Sequence, residues 1–125
     1  CSELVKELDG SRVISGTYWT LPEVAEKFAE ILEVQQNVRH AGEAETSMML
    51  ALEPELVDQA RLFRADGPPE IPFYGSGVSR WVSFKELSAN GVIGSPSVAT
   101  EAKGELLLEV AAGGIAGVLQ NPELW

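Results

Sequence analysis

Apolar residues recur three and four positions apart in three stretches of the chain, which is the spacing of one face of an α-helix. The first stretch runs from Ser2 to Leu8 and stops at Asp9-Gly10. The second follows Thr20-Leu21-Pro22-Glu23, a capping-box pattern with proline in the first turn. The third follows Ser95-Pro96, where serine is the candidate cap of a long last helix. The predicted apolar face of that helix comprises Ala102, Leu106, Val110, Ala111, Ile115, Val118 and Leu119.

The segment Arg12 to Trp19 has a different pattern, because it is rich in β-branched and aromatic residues. Such residues favour β-strands. The segment also follows a helix after a short turn, and a helix followed by a strand suggests a parallel sheet. We therefore predict a core strand here.

The middle of the chain combines a buried helix with an irregular stretch. The apolar run Met48 to Leu52 predicts a helix over Thr46 to Leu52, which Pro54 ends or kinks. Glu55 to Ala60 is predicted as a further turn of helix. Residues 61–78 lose any regular period, which is typical of a lid or binding loop, with disorder as the alternative.

Two interpretations remain open for Ser79 to Lys85. The segment contains aromatic and basic residues, among them Trp81, that would supply a wall and a cation to a pocket. A half-buried edge strand explains the same pattern.

Candidate chemistry is concentrated in residues 40–47, directly ahead of the buried helix; we call this segment the acidic turn. It contains His40, Glu43 and Glu45. If Ala44 is extended, Glu43 and Glu45 point to the same side, and Gly42 lets the chain turn so that His40 faces them. Imidazole and carboxylate oxygens are usual ligands of zinc and manganese. The alternative is that both carboxylates stabilise the first turn of the following helix.

Composition narrows the possible partners. The net charge is −10, and only nine of the 125 residues are Lys or Arg. Nucleic acids and anionic membranes are bound through clusters of Lys and Arg, so we expect neither partner. No apolar run approaches the length of about twenty residues that crosses a bilayer. A single cysteine cannot form an internal disulfide, which fits a reducing compartment, and we expect a cytoplasmic protein.

Cys1 is a second candidate for chemistry. The chain begins with cysteine in the middle of a predicted helix, which suggests either a fragment or the downstream product of a cleaved precursor. A terminal cysteine whose own α-amino group acts as base is the arrangement of an N-terminal nucleophile hydrolase. The same start arises from any other proteolytic cut.

Two motifs resemble the C-terminal half of the creatininase (creatinine amidohydrolase) family. The first is His40-Ala41-Gly42-Glu43-Ala44-Glu45-Thr46-Ser47, continued by residues 48–57. The second is Gly91-Val92-Ile93-Gly94-Ser95-Pro96-Ser97, continued by residues 99–105. The two motifs together cover about a third of the chain and are specific in combination.

The resemblance implies a three-layer α/β/α sandwich with a mainly parallel sheet, of which residues 1–125 would be the C-terminal half. It also implies a site for two divalent metal ions, zinc or manganese, that hydrolyses a C–N bond of an amide, cyclic amide or peptide-like small molecule. Glu45 matches a metal ligand of the family, and Glu43 takes the place of a second ligand that is often histidine. His40 matches a ligand or proton-transfer residue, and Trp81 a substrate-covering tryptophan.

The other metal ligands of the family fall in a segment that this chain lacks. The resemblance therefore implies a separate N-terminal chain, with processing ahead of Cys1 and assembly into a higher oligomer. Two alternatives remain open. One is an N-terminal nucleophile hydrolase that uses Cys1, and the other is a non-catalytic assembly subunit.

Overall fold

The computed structural model describes residues 2–7, 10–69, 74–75, 78–79 and 82–125. Its α-helices are α1 (Ser2–Glu7), α2 (Pro22–Ile31), α3 (Glu43–Leu52), α4 (Gln59–Leu62), α5 (Phe84–Leu87) and α6 (Glu101–Gln120). Shorter 3₁₀ turns are Tyr18–Thr20, Pro54–Leu56 and Pro96–Val98. Two short strands, β1 (Tyr74–Gly75) and β2 (Val78–Ser79), pair antiparallel. None of the described helices is both long and apolar enough to cross a bilayer.

The predicted α/β/α sandwich with a parallel sheet is wrong for the described residues, whose only β-pairing is the antiparallel pair of β1 and β2. The predicted core strand, Arg12 to Trp19, has no regular structure before the 3₁₀ turn Tyr18–Thr20. Ile14 within it is 40% exposed. β-branched residues favour a strand only where a neighbouring strand completes the backbone hydrogen bonds, and no described segment pairs with this one.

Three helices enclose the hydrophobic core. Helix α6 packs against α3 and α2, and the 3₁₀ turn Tyr18–Thr20 closes one side. The buried apolar residues of this cluster are Val24, Phe28, Leu32, Val38, Ala44, Met48, Leu107 and Ala111. The core therefore holds α3, which follows the acidic turn, against the long last helix.

The second helix is confirmed, but its predicted cap is not. Its N-terminal cap is Leu21, which offers no side-chain hydrogen bond. The Thr20 hydroxyl instead donates to the Thr17 carbonyl at 2.8 Å. The Thr20 hydroxyl is thus bonded within the preceding turn. The capping-box pattern therefore predicted the position of the helix correctly, although the hydrogen bond from the Thr20 side chain to the helix is not formed.

The last helix is also confirmed, with a different cap and a different buried face. Thr100, and not Ser95, caps α6, since its side chain accepts a hydrogen bond from the Lys103 amide at 3.2 Å. The buried residues are Gly104, Leu107, Ala111 and Gly114. Among the residues predicted to be buried, Leu106, Ile115 and Leu119 are exposed.

Glycine determines which face of α6 is buried. A Cβ at Gly104 would collide with the Ser47 carbonyl, and one at Gly114 with the Val24 side chain. The small residues let α3 and α2 approach closely, which side chains such as Leu106 would prevent. The buried face of α6 is therefore determined by the size of its residues and not by their hydrophobicity alone.

The middle of the chain differs from prediction mainly at its boundaries. Helix α3 begins at Glu43, three residues before the predicted start at Thr46. The predicted turn Glu55 to Ala60 is replaced by the 3₁₀ turn after Glu53 and by α4. The edge strand that was one interpretation of Ser79 to Lys85 is not continuous, because Ser79 ends β2 and α5 begins at Phe84. Parts of the irregular stretch 61–78 lie outside the described residues.

Candidate functional site

The acidic turn reverses the chain through Ala41 and Gly42. Ala41 has a φ of 50°, in the left-handed region, whereas Gly42 is extended. A non-glycine residue in this region costs free energy and needs support from its surroundings. The support is local: the Ala41 amide donates to Glu45 Oε2 at 2.7 Å, and the Ala41 carbonyl accepts from the Thr46 hydroxyl at 3.2 Å.

Glu43 and Glu45 do not share a side, contrary to the expectation from an extended Ala44. Helix α3 includes both residues, and two positions of an α-helix are separated by about 200°. Glu43 therefore lies on the side of Ser47, and Glu45 on the side of Met49. We call these the inner and the outer side of the acidic turn.

On the inner side, the carboxylate of Glu43 is surrounded by donors. Glu43 is 0% exposed. Its Oε1 accepts from Lys103 Nζ at 2.6 Å and from the Glu33 amide at 2.8 Å, and its Oε2 accepts from the amides of Val34 at 3.0 Å and Gln35 at 3.4 Å. The Glu43 carboxylate thus accepts hydrogen bonds both from backbone amides of the chain that follows α2 and from Lys103 in the first turn of α6.

The ion pair of Glu43 and Lys103 is charged at neutral pH. Burial disfavours the carboxylate, but hydrogen bonds from Lys103 and from the Val34 and Glu33 amides outweigh it, and the pKa of Glu43 lies below its ordinary value. Burial likewise disfavours the ammonium, but the bonds to Glu43 and Glu33 raise the pKa of Lys103 above its ordinary value. Both shifts favour the charged pair.

On the outer side, Glu45 faces a cavity of about 360 Å³. Within the described part of the chain, the Ala41 amide is the only hydrogen-bond partner of its carboxylate. The cavity is lined mainly by apolar side chains, among them Met49, Leu56 and Val57. A carboxylate that has a single hydrogen-bond partner and lies beside an apolar cavity is a typical ligand-binding arrangement.

His40 is exposed at the entrance to the turn. Its ring meets Phe84 of α5 edge to face, with 4.8 Å between the ring centroids. Its carbonyl accepts from the Ile93 amide at 2.8 Å. The backbone of His40 is therefore held in place, and its imidazole is accessible.

The two motifs identified in the sequence meet at the acidic turn. A Cβ at Gly42 would lie 2.9 Å from the Ile93 carbonyl. Gln35 Oε1 accepts from the amides of Ser95 and Glu43, both at 3.4 Å. The Ser47 hydroxyl, on the inner side, accepts from the Thr100 amide at 3.2 Å. The second motif thus contacts the first motif and holds the acidic turn in place.

Tyr18 is a neighbour of the site that the sequence did not reveal. It lies near the end of the segment predicted as a strand, and its hydroxyl donates to Met48 Sδ at 3.9 Å. Burial, with a smaller contribution from the charge of Glu45, raises the pKa of the Tyr18 phenol above its ordinary value. No sequence signal links residues 18 and 45, because only tertiary packing, of the 3₁₀ turn against α2 and α6 and of the Tyr18 hydroxyl against Met48, brings them near each other.

The other predicted site residues, Cys1 and Trp81, lie outside the described residues. Among those that the structure describes, no three His, Cys, Asp or Glu side chains converge as a metal site requires. Glu45 carries a suitable carboxylate that lines the cavity, whereas the His40 imidazole packs on Phe84 and does not line it. Catalytic zinc needs at least three protein ligands, so Glu45 fits one position of a metal site that further residues would complete.

Comparison with known proteins decides the family. The family model described as "Creatininase: Creatinine amidohydrolase" matches residues 1–119. The chain belongs to the creatininase family. The resemblance predicted from the two motifs is thereby confirmed.

Individual creatininases agree with this assignment. The chain is 34% identical over 114 residues to creatinine amidohydrolase of Pseudomonas putida, covering 88% of this chain and 42% of that protein. A Glu-to-Gln mutant creatininase complexed with creatine matches with a TM-score of 0.65 at 30% identity, over 95% of this chain and 46% of that one. A structure named creatininase Mn has the same values. A mutant creatininase of Zn-Zn type has a TM-score of 0.64, so divalent metals are named in these relatives.

The chain therefore spans less than half the length of the creatininases that it matches.

Proposed function

We propose that this chain contributes the Glu45 side of the active site to a metal-dependent amidohydrolase that cleaves a C–N bond of a small amide or cyclic amide. The observation that carries the proposal is the position of the Glu45 carboxylate. It lies in the motif that matches the family, beside a cavity of about 360 Å³, with one backbone donor. The remaining ligands would come from the part of the fold that this chain does not match, since it covers less than half the length of the related creatininases.

In the proposed site Glu45 holds a divalent metal ion, zinc or manganese, with two ions per site. When bound, such ions supply Lewis-acid activation of a water molecule and of the substrate carbonyl. His40 is accessible and anchored through its carbonyl, so its imidazole is suited to transfer a proton to the departing nitrogen.

For Glu43 the ligand role stays a prediction. Its contacts support the structural alternative, because four donors already surround its carboxylate and it is fully buried. Metal binding by Glu43 would require those hydrogen bonds to be given up. The roles of Trp81 in substrate binding and of Cys1 in processing stay predictions as well, as do the cytoplasmic location and the higher oligomer.

Metal analysis and hydrolysis assays of the intact protein, isolated together with any companion chain, test the proposal. We expect bound zinc or manganese, hydrolysis of an amide such as creatinine, and loss of turnover on treatment with a chelator. Inhibition by thiol alkylation with indifference to chelators would instead support catalysis by Cys1. A protein that contains no metal together with its companion chain would support an assembly subunit.

Glu45→Gln tests the assigned residue, because the amide is isosteric but a poor ligand for a divalent cation. We expect metal affinity and turnover to fall by more than about 100-fold, since even outer-shell partners of metal ligands contribute about 10–100-fold. The matched control is Glu109→Gln, which removes an exposed carboxylate of α6. Unchanged metal content and turnover in Glu45→Gln would contradict the proposal.

A further inference from the structure

We propose that Lys103 is a positioning residue of the proposed metal site, acting through Glu43 to fix the orientation of the acidic turn. The inference rests on the proposed function for its catalytic meaning. Lys103 belongs to the second motif and Glu43 to the first, and the ion pair joins them at 2.6 Å. Neither residue lines the cavity beside Glu45.

The position of Lys103 in its own helix points to a role outside that helix. It lies in the first turn of α6, two residues after Glu101. A cation near a helix N-terminus is disfavoured by the macrodipole. Contacts outside the helix offset this cost, because Lys103 Nζ also donates to the Val98 carbonyl at 2.8 Å and pairs with Glu33 at 3.1 Å.

The pair joins three segments at one point. Glu43 binds the chain after α2 through backbone amides, and Lys103 binds both Glu43 and the turn that precedes α6. The first residue of α3 is thereby tied both to the chain that follows α2 and to α6. Rotation of α3 about its axis would break these bonds, so the pair determines the direction in which the outer side of the helix points.

Glu45 is coupled to this anchor through a single helical turn. The Ala41 amide donates to Glu45 Oε2 at 2.7 Å, across the turn whose first helical residue is Glu43. A shift of the α3 start changes both the Ala41 backbone and the Glu45 carboxylate. Small displacements of catalytic groups have large effects on reactivity, which is why a residue outside the cavity matters to the site.

The alternative is that the pair contributes only to stability. Buried ion pairs are weak evidence for a stabilising role, because apolar replacements of similar size are often neutral or better. The two explanations differ in what happens locally at Ala41. Loss of global stability affects all core amides together, whereas loss of positioning affects the acidic turn first.

The test compares Lys103→Gln with wild type by amide resonances and hydrogen exchange in the metal-free protein, and by titration with Mn²⁺. Lys103→Gln removes the charge and leaves every candidate ligand in place. We expect a shifted Ala41 amide that exchanges at least about ten-fold faster relative to core amides, and Mn²⁺ affinity reduced by about 10–100-fold. The control is Lys27→Met, which removes an exposed ion pair with Glu30 and is expected to leave both readouts unchanged.

An Ala41 amide with the resonance and relative exchange rate of wild type would overturn the positioning role, as would unaltered Mn²⁺ affinity in a protein that binds the metal. If the wild-type protein binds no Mn²⁺ or Zn²⁺, the proposed function fails, and the Ala41 measurement still decides whether the pair orients the turn. If Lys103→Gln does not fold, the neutral double variant Glu43→Gln/Lys103→Met gives the same comparison of Ala41 with core amides.

Discussion

The two sides of the acidic turn differ in nearly every property that matters for chemistry. On the inner side Glu43 is fully buried and its carboxylate has four donors. On the outer side Glu45 is half-buried, has one backbone donor and borders a cavity. The two carboxylates are only two residues apart, yet the helix directs one to the interior and the other to the cavity. Clustering in the sequence therefore does not by itself indicate a common site.

The largest expected effect is on the inner side, where Lys103→Met leaves the buried Glu43 carboxylate without its charge partner. Removing one member of a buried pair costs about 3–5 kcal/mol, and we expect the free energy of unfolding to fall by this amount in chemical denaturation. The double variant Glu43→Gln/Lys103→Met should recover much of the loss. A single variant as stable as wild type would show that Glu43 is not confined as the structure indicates.

A smaller effect on the free energy of unfolding is expected at Gly104, where α6 contacts α3. Because a Cβ at Gly104 would collide with the Ser47 carbonyl, Gly104→Ala should destabilise by about 1–3 kcal/mol through overpacking. The matched control is Gly113→Ala in the same helix, where a Cβ would meet no described atom within 4 Å. This control should stabilise by about 0.5–1 kcal/mol. Equal effects of the two changes in thermal unfolding would contradict the close approach of the helices.

The pH dependence of stability sharpens the same comparison. The pKa of Lys103 is raised in the folded protein above its ordinary value of 10.5. Its charge therefore contributes stability that is fully present below that ordinary value and is lost as the pH rises through the folded-state pKa. We expect the wild-type protein to lose stability above pH 10.5 more steeply than Glu43→Gln/Lys103→Met, measured by denaturation across an alkaline series. Parallel curves would show that the pair does not titrate as a unit.

The smallest effect on stability is expected on the outer side. Glu45→Gln keeps an acceptor for the Ala41 amide, so the free energy of unfolding should change by less than about 0.5 kcal/mol, although metal binding is expected to be lost. A destabilisation as large as that of Lys103→Met would place Glu45 in the structural framework and remove the contrast between the two sides.

Local patterns in the sequence predicted the helices better than the sheet. The 3.6-residue period located α2 and α6, because amphipathic helices bury one face wherever they pack. Gly10, where the pattern predicted a stop, has the positive φ of 79° that glycine tolerates, but the residues that link it to α1 lie outside the described part of the chain. The strand predicted for Arg12 to Trp19 failed because a strand depends on a partner, and nothing within the segment specifies one. The buried face of α6 differs from the predicted one because Gly104 lets the backbones of α6 and α3 approach each other closely. A pattern of hydrophobic residues does not reveal such an approach.

The sequence by itself determined the family, the helices α2 and α6 and the position of the acidic turn along the chain, since these depend on residue identity and short-range spacing. Only the tertiary structure decided that Glu43 pairs with Lys103 sixty positions away, that Glu45 borders a cavity, and that Tyr18 lies near it. The physical reason is that Ala44 is helical and not extended. This one local conformation sends the two carboxylates in opposite directions, and the distant partners that each one meets are supplied by the packing of α3 against α6.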